Sequence, residues 1–403
     1  MIALVQKKYG VACAFSFFTT VLLMHATPSL NSLNVFHVSN TGHSSQLMFD
    51  FFQPLACKAS FNQDTYELQV SFQNITLDGI KSKIIYQELA NTLMKKDKMV
   101  ERVTLKPVQG KQSGVLLSIQ FARFKTINNV KKENNLVIRW GVANENAGKN
   151  YKLIVDIFSQ EQLNCIAQQN NILKQVLNAP RESAPLKARI VIDPGHGGDN
   201  FGAQYLGLQE KEITLDISRR IHEQLKSEGY RVLLTRSDDK NVSLEERARL
   251  AHQLRADLFV SIHVDASAEK TSHGMKMFYL DPTVFSVPKS SSRFFFANID
   301  DQQNAESMIN KYLNMMHCAS KNLAIAIQTS LVTTLEKLQI PTDSCKIQQQ
   351  PYRLLVYNSN TPAILVEVGF ITEVHKFKKQ QYRQILAEGI SLGILSFVEQ
   401  TLG

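Results

Sequence analysis

Cysteine is scarce in this sequence, and several patterns typical of metal and nucleic-acid binding are missing from it. The 403 residues include five cysteines without a Cys-x-x-Cys spacing, so a thiolate zinc site is not expected. No stretch interleaves Lys or Arg with aromatic residues, as a nucleic-acid groove would. Internal repeats and long low-complexity runs are also absent. What remains is an ordinary globular composition, long enough for two domains with separate cores.

The chain is basic, with a formal net charge of +9. A positive surface favours an anionic partner such as nucleic acid, anionic lipid or a cell-wall polymer. The lysines are scattered along the chain, so charge alone does not choose among these partners. A soluble basic protein without such a partner stays an equal alternative.

Residues 1–30 have the layout of an export signal. Lys7 and Lys8 precede an apolar stretch at residues 10–26, and polar, turn-rich sequence follows. The apolar stretch is long for a signal peptide and short for a membrane span, and bulky Met24 weakens the cleavage site at its end. A cleaved signal is the favoured interpretation; an uncleaved membrane anchor and a buried helix are the alternatives. The first two predict that the bulk of the chain lies outside the cytoplasm.

The four cysteines beyond the export segment permit two disulfides, because an exported protein meets an oxidising environment. Pairing within domains would join Cys57 to Cys165 and Cys318 to Cys345. Free buried thiols are the equal alternative.

Residues 45–158 are predicted to form a small β-rich domain. Short segments in which apolar and polar residues mostly alternate are separated by polar turns. Such alternation predicts strands with one face on a core and one in water, as in a sandwich. A helix is expected near residues 81–94, and residues 159–187 are expected to form a short helix and a linker. The predicted strands are 46–52, 66–72, 115–122, 136–140 and 151–158.

Residues 188–403 show strands that alternate with amphipathic helices. This order predicts an α/β domain with a mostly parallel sheet flanked by helices and joined by right-handed crossovers. Ser243 and Glu246 fit a capping box that opens one of the helices. Strands are predicted at 188–193, 230–236, 257–264, 275–280 and 363–370, and helices at 212–227, at 243–254 and near the C-terminus.

Three polar side chains follow or flank these predicted strands. His196 comes directly after the first strand in a glycine-rich turn, Glu210 stands at the start of the next helix, and His263 ends a third strand. Functional groups of open α/β sheets gather at the carboxyl ends of strands. Two imidazoles and one carboxylate form a normal catalytic zinc set with a fourth position open to water. A structural histidine and a helix-start glutamate are the simpler alternatives for each residue taken alone.

Glu367 lies inside the apolar strand at residues 363–370. Burying a carboxylate is costly unless it is paired or performs chemistry. A strand with one face open to a cleft would explain it, and so would a general base that takes a proton from water and returns it to a leaving amine.

The segments IVIDPGHGGDNFGA, ADLFVSIHVDAS and TPAILVEVGFITE resemble the N-acetylmuramoyl-L-alanine amidases of the Amidase_3 type. The resemblance runs from residue 188 to the end of the chain. It implies Zn²⁺ bound by His196, Glu210 and His263, with Glu367 as the catalytic carboxylate. It further implies cleavage of the amide between muramic acid and the first L-alanine of peptidoglycan, in wall remodelling or daughter-cell separation. Residues 45–158 resemble the AMIN-type domains that target such amidases to the wall, and the implied location is the periplasm.

Several positions depart from that family or extend the expectation. Asp265 follows the second histidine where the family usually has an asparagine-containing sequence, and could change ligand orientation or substrate preference. His252 is interpreted as a neutral surface change, and His273 as uninvolved. Division-linked members of the family carry a helix that plugs the active site until an activator displaces it. Residues 285–317 could form such a helix, with the carboxylate of Glu306 bound to zinc. A solvated helix on the rim of the site is the favoured interpretation.

Two other functions compete with a zinc amidase. An inactive wall-binding or scaffolding protein on the same fold would lack a ligand or the base, but all four positions are filled. A zinc peptidase that cuts between stem residues is disfavoured, because His-Glu-x-x-His is absent and the three ligands are widely spaced. Nucleic acid is not expected as a partner, and a membrane is expected only as the anchoring site of an uncleaved N-terminal segment.

Overall fold

The computed structural model describes residues 30–36, 45–51, 56–73, 100–108, 114–127, 130–145, 150–164, 166–167, 188–266, 274–280, 294–340, 344–358 and 361–401. The predicted export signal, the helix at 81–94 and most of the linker lie outside these residues, as do Cys165 and His273. Within the described part of the chain, none of the helices combines the length and the apolar character that crossing a membrane requires.

The N-terminal unit is built from two antiparallel sheets. One has the order β1-β2-β10-β9-β17 and the other β3-β4-β6-β5, while β7 and β8 form a separate hairpin. Its strands are β1 Leu30–Phe36, β2 Ser45–Phe51, β3 Cys57–Asn62, β4 Glu67–Gln73, β5 Val100–Val108, β6 Gly114–Phe121, β7 Phe124–Ile127, β8 Val130–Glu133, β9 Leu136–Glu145, β10 Asn150–Ser159 and β17 Phe294–Ala297.

Apolar side chains from both sheets meet in the core of this unit. Leu68, Val70, Leu117 and Ile119 of the four-stranded sheet pack in one cluster with residues of β9 and β10. This arrangement agrees with the predicted sandwich. The unit begins earlier than residue 45, however, because β1 pairs with β2. It also includes β17, which comes from the second half of the chain.

The C-terminal domain is a six-stranded mixed sheet with the order β14-β11-β15-β19-β16-β18. The first four strands are parallel, and β16 runs antiparallel to β19. The strands of this domain are β11 Arg189–Pro194, the short pair β12 Gln204–Tyr205 and β13 Leu208–Gln209, β14 Arg231–Leu234, β15 Leu258–Asp265, β16 Met275–Tyr279, β18 Cys345–Gln349 and β19 Ala363–Phe370.

Helices cover both faces of this sheet. Three of them, α1 Glu210–Ser227, α3 Gln302–Lys337 and α6 Gln380–Thr401, pack on one face. On the other face lie α2 Leu244–Leu254 and α4 Arg353–Tyr357. A short helix, α5 Val374–Phe377, precedes α6. The predicted α/β fold is confirmed.

Local sequence explains the helix limits. At the start of α2 the Ser243 side chain accepts a hydrogen bond from the Glu246 N–H at 3.1 Å, as the capping motif predicts. The apolar stripe of α1, at Ile213, Ile217 and Ile221, is fully buried against the sheet, which matches the spacing of one helix face.

One prediction about a single residue is wrong, and one open alternative is decided. His252 is buried, with 2% of its surface exposed, because it lies on the side of α2 that packs toward the protein. For Cys318 and Cys345 the sequence left a disulfide and free thiols as equal alternatives; both residues are free thiols in the structure, and so is Cys57.

Candidate metal centre

The side chains of His196, Glu210 and His263 converge at the carboxyl edge of the sheet. One ligand atom from each lies within 4.8 Å of the others. The distance from His196 Nε2 to Glu210 Oε2 is 3.0 Å and that from His263 Nδ1 to Glu210 Oε1 is 2.9 Å. The two imidazole rings meet edge to face, with centroids 5.0 Å apart. The three residues that the sequence indicated as ligands therefore form one cluster, although they are far apart along the chain.

Glu210 is held in place by the backbone. The N–H groups of Ala203 and Val264 donate to its two carboxylate oxygens at 2.8 Å and 2.9 Å. Burial raises the pKa of Glu210, but hydrogen bonds from His196 and His263 and their charges outweigh burial and bring the pKa well below its ordinary value. The carboxylate is thus a fixed anion, which is the form that binds a metal ion.

His196 is oriented from its second ring nitrogen. Nδ1 lies 2.9 Å from Asn200 Oδ1, and an amide oxygen accepts, so Nδ1 carries the proton and Nε2 faces the cluster. Burial lowers the pKa of His196, but its contacts with Glu210 and Asn200 raise the pKa above the ordinary value. A proton therefore competes with a metal ion for this ring.

A buried ion pair supports the turn that carries His196. Asp193, which is fully buried, accepts from Ser261 Oγ at 2.6 Å and from Arg247 Nη1 at 2.6 Å, and also from the Thr235 hydroxyl. Arg247 donates further to the carbonyl of His196 at 2.7 Å. This network anchors His196 in a left-handed conformation, with φ at 59°, which is uncommon for a residue with a side chain.

Arg236 is a second buried arginine beneath the same turn. It donates to the carbonyls of Pro194, Gly195 and Lys211 at 3.0, 2.8 and 2.8 Å. Sequence reasoning missed both arginines. Both arginines contact mostly backbone carbonyls, and such contacts leave no pattern in the sequence. The signal that was available is the position of Arg236 at the end of an apolar strand.

Two glycines make the close packing of the cluster possible. A Cβ atom on Gly195 would lie 2.5 Å from His263 Cε1. At Gly202 it would lie 2.5 Å from Glu210 Oε2 and 2.6 Å from His196 Cδ2, and φ is also 66° there. Only glycine fits at these distances.

Glu367 lies beside the three ligands on the neighbouring strand. It pairs in register with His263 of β15 and with Lys276 of β16. Its Oε2 atom is buried and has no hydrogen-bond partner among the described residues. Burial, reinforced by the charges of Glu210 and Asp265, raises its pKa well above the ordinary value, while Lys276 lowers it. A carboxyl of this kind is suited to take up a proton and return it.

Asp265 does not join the three-residue cluster. Its Oδ2 accepts from Lys276 Nζ at 2.6 Å, and the ammonium group of Lys276 also lies 4.9 Å from the centre of the Phe370 ring. Asp265 therefore forms an ion pair next to Glu367, and its effect on ligand orientation or substrate preference stays a prediction. The sequence did not reveal Lys276 as the partner of Asp265.

A cavity of about 180 Å³ adjoins the cluster on the side of α2 and α4. His196 and His263 form one end, and Asn241, Ser243 and Leu354 line the rest together with other residues. Its mixed amide, hydroxyl and aliphatic lining suits a small polar substrate segment.

Glu306 is not part of the metal cluster. It lies on α3 between Ala305 and Ile309, which pack against the N-terminal unit. The chain leaves the sheet at Tyr279, which pairs with Ile364 near the start of β19, whereas Glu367 lies further toward its end. The described part of the 285–317 segment, residues 294–317, contributes to the cluster on the N-terminal unit, and a plug of the site by this segment stays a prediction.

The sequence profile of the Amidase_3 family, N-acetylmuramoyl-L-alanine amidase, matches residues 190–396. The chain belongs to this family. The match includes His196, Glu210, His263 and Glu367, and it ends inside α6. The N-terminal unit lies outside the matched residues.

Two relatives and one solved structure illustrate the similarity. N-acetylmuramoyl-L-alanine amidase AmiC of Escherichia coli is 30% identical over 291 residues, which cover 62% of this chain and 66% of AmiC. LytC of Bacillus subtilis is 28% identical over 270 residues, 66% of this chain but 46% of LytC. An amidase structure from Clostridium difficile is 29% identical, covers 53% of this chain and 97% of that one, and gives a TM-score of 0.41. The chain thus spans about two thirds of the length of AmiC and less than half of the length of LytC.

Proposed function

We propose that this protein is a zinc-dependent N-acetylmuramoyl-L-alanine amidase of the bacterial cell wall. The observation that carries the proposal is the convergence of His196, Glu210 and His263 beside Glu367, whose Oε2 atom is buried without a hydrogen-bond partner among the described residues. Family membership supports the substrate, the amide between N-acetylmuramic acid and L-alanine of the stem peptide.

The donor set fits Zn²⁺. Two imidazoles and a carboxylate are the ligands of many catalytic zinc sites, which keep one position open. Glu210 is already anionic in this site, and the hydrogen bond to Asn200 turns Nε2 of His196 toward the cluster. When bound there, zinc would polarise the scissile carbonyl and lower the pKa of water to about 7.

The protein's own groups supply the proton transfers. Glu367 takes a proton from the attacking water as the carbon–oxygen bond forms, and then gives this proton to the leaving nitrogen of L-alanine as the carbon–nitrogen bond breaks. Lys276 and Asp265 form an ion pair beside it, and the cavity toward α4 holds part of the substrate. The reaction consumes one water and releases a free amine and a lactyl carboxylate.

The N-terminal segment and unit suggest where the enzyme acts. We infer export to the periplasm through residues 1–30, and wall contact through the sandwich of the N-terminal unit, as in AMIN-type domains. A role in wall remodelling or daughter-cell separation follows from that location. Binding of the full chain to purified sacculi, in the presence of a chelator that blocks cleavage, tests the wall contact.

Mass spectrometry of digested sacculi tests the activity. The amidase predicts intact stems with a free N-terminal L-alanine, and metal analysis predicts one zinc per chain. Shortened stems on intact glycan would instead show a peptidase. Binding to sacculi without any released product, in the zinc-loaded protein, would show an inactive wall-binding protein.

A further inference from the structure

The N-terminal sheet has a second covered face. On β10, Leu153, Val155 and Ile157 point into the sandwich core. The alternate residues Ile154 and Phe158 are 1% exposed, although they point to the other side. The sequence prediction of one water-facing side per strand is therefore wrong for this strand, and something covers its outer face.

The cover comes from the C-terminal half of the chain. Ile154 packs in the cluster formed by β19, α2 and α4 of the catalytic domain. Phe158 and Val137 of the N-terminal sheet pack with residues 294–316, which we call the clamp. The members of this second cluster are Val137, Phe158, Leu163, Ile166, Phe294, Ala305, Ile309, Tyr312 and Leu313.

The clamp also extends the sheet itself. Strand β17 pairs antiparallel with β9, from Phe294 opposite Arg139 to Ala297 opposite Leu136. Gln63 Nε2 donates to the Phe296 carbonyl at 2.8 Å. Without β17, the backbone of β9 would be an open sheet edge, which proteins usually protect.

A buried ion pair lies on the covered face. Arg139 Nε donates to Asp156 Oδ2 at 2.9 Å, and Gln46 Nε2 donates to Asp156 Oδ1 at 2.7 Å. Arg139 and Asp156 are 2% and 3% exposed. Charges that are removed from water to this degree must be paired to avoid a large desolvation cost. The pairing of Arg139 with Asp156 therefore fits a face that is permanently covered.

A continuous helix connects the two cores. The N-terminal part of α3 packs on the N-terminal sheet, while Leu323, Ile327 and Leu331 pack in the catalytic core. Its 36 residues contain neither Pro nor Gly, the usual causes of a kink. A helix of this length is about 54 Å long, so it joins the two units as a rod.

We propose that the clamp makes the N-terminal unit and the catalytic domain one rigid body, so that a wall polymer bound by the former is presented to the metal centre in a fixed geometry. The rigid connection of the two units does not depend on the proposed function, whereas its consequence for wall hydrolysis rests on that function. The partner of the sheet's outer face is thus a segment of the same chain.

The test compares two substitutions on one helix in the full chain. Ile309→Asp places a charge in the clamp, where the side chain is 0% exposed, and Ile325→Asp places the same charge where it is 42% exposed. Calorimetry and small-angle X-ray scattering report the coupling without any activity. We expect one unfolding transition for the wild type and Ile325→Asp. Ile309→Asp should show two transitions and a larger radius of gyration.

Hydrolysis then tests the consequence. In Ile309→Asp we expect roughly a tenfold or larger loss on insoluble sacculi and less than about a twofold change on a soluble disaccharide-peptide, because a flexible tether lowers the effective concentration of the site at the wall. Ile309→Ala, a smaller change, should move the same readouts in the same direction if Ile309→Asp does not yield folded protein.

Two results would overturn the proposal. An unchanged radius of gyration with a single transition in Ile309→Asp or Ile309→Ala would show that the clamp does not hold the units together. An equal loss on both substrates would refute the presentation of the wall. If neither the wild type nor any variant cleaves the soluble substrate, the proposed function fails while the scattering and calorimetry results still decide the coupling.

Discussion

Replacing Arg247 by Met should destabilise the catalytic domain strongly. The guanidinium of Arg247 is 2.6 Å from Asp193, and the two side chains are 3% and 0% exposed. Removing it leaves a buried carboxylate with only the hydroxyl donors of Thr235 and Ser261. Breaking a buried pair on one side costs about 3–5 kcal/mol. For a domain of this size each kcal/mol corresponds to about 2–4 °C, so the midpoint should fall by roughly 6–20 °C.

The pH dependence of this loss has a definite sign. Burial raises the pKa of Asp193, but the charge of Arg247 and hydrogen bonds from Ser261, Thr235 and Arg247 outweigh it and lower the pKa. In the wild type this carboxyl therefore stabilises the fold above its unfolded pKa of about 4, and the contribution fades as the pH falls through the folded pKa. In Arg247→Met burial dominates and raises the pKa, so the protonated form is favoured. The deficit of the variant should shrink from pH 7 toward pH 4.

The assay is denaturant unfolding of the wild type, Arg247→Met and a matched control. Arg249→Met lies two residues further along α2, and its partner Glu246 is also exposed, with the side chains 45% and 41% accessible; it should cost less than about 1 kcal/mol. The double variant Asp193→Asn/Arg247→Met should recover part of the loss, because no buried charge is left unpaired. A cost for Arg247→Met as small as that of the control, or a deficit that is equal at pH 4 and pH 7, would refute the reasoning.

Three further predictions concern the metal centre. Glu367→Gln should keep stoichiometric zinc and lose hydrolysis, since the amide cannot accept a proton; substantial residual turnover would remove Glu367 as the base. A proton on His196 competes with zinc, and the contacts of this ring raise its pKa above the ordinary value, so the apparent zinc affinity, measured by chelator competition, should fall as the pH is lowered; an affinity that does not change with pH would refute this competition. Gly202→Ala should weaken zinc binding more than Gly207→Ala, because a Cβ atom at Gly207 meets nothing within 4 Å although φ is positive at both; equal affinities would show that the crowding around Glu210 is unimportant.

The metal centre could be predicted because its parts are local in the sequence. His196 and His263 each follow an apolar run at the carboxyl end of a strand, and parallel strands bring such ends to one edge. The strand that carries Glu367 was predicted with the bounds that the structure shows, Ala363–Phe370, because it is continuously apolar apart from Glu367 and Gly369. Where a polar residue interrupts or ends an apolar run in this way, a single sequence is informative.

The supporting residues around the centre could not be predicted in the same way. Arg236 donates to backbone carbonyls, Arg247 donates to backbone carbonyls and to the distant Asp193, and Lys276 forms an ion pair with a residue on another strand. None of these contacts leaves a spacing or a composition that a sequence pattern could detect. From the sequence alone, these charged residues look like ordinary surface residues, and only the fold shows that they lie around the site.

The outer face of β9 and β10 shows the same limit on a larger scale. Arg139 and Asp156 occupy the polar positions of two alternating strands, and a charge at such a position normally indicates a water-facing side. They lie on a covered face, where Val137 and Phe158 pack with a segment more than a hundred residues later and Ile154 packs with the C-terminal domain. Binary alternation records which residues differ in polarity, and it does not distinguish water from a buried ionic partner. In this chain the misread face is the one through which the N-terminal unit and the C-terminal domain pack together.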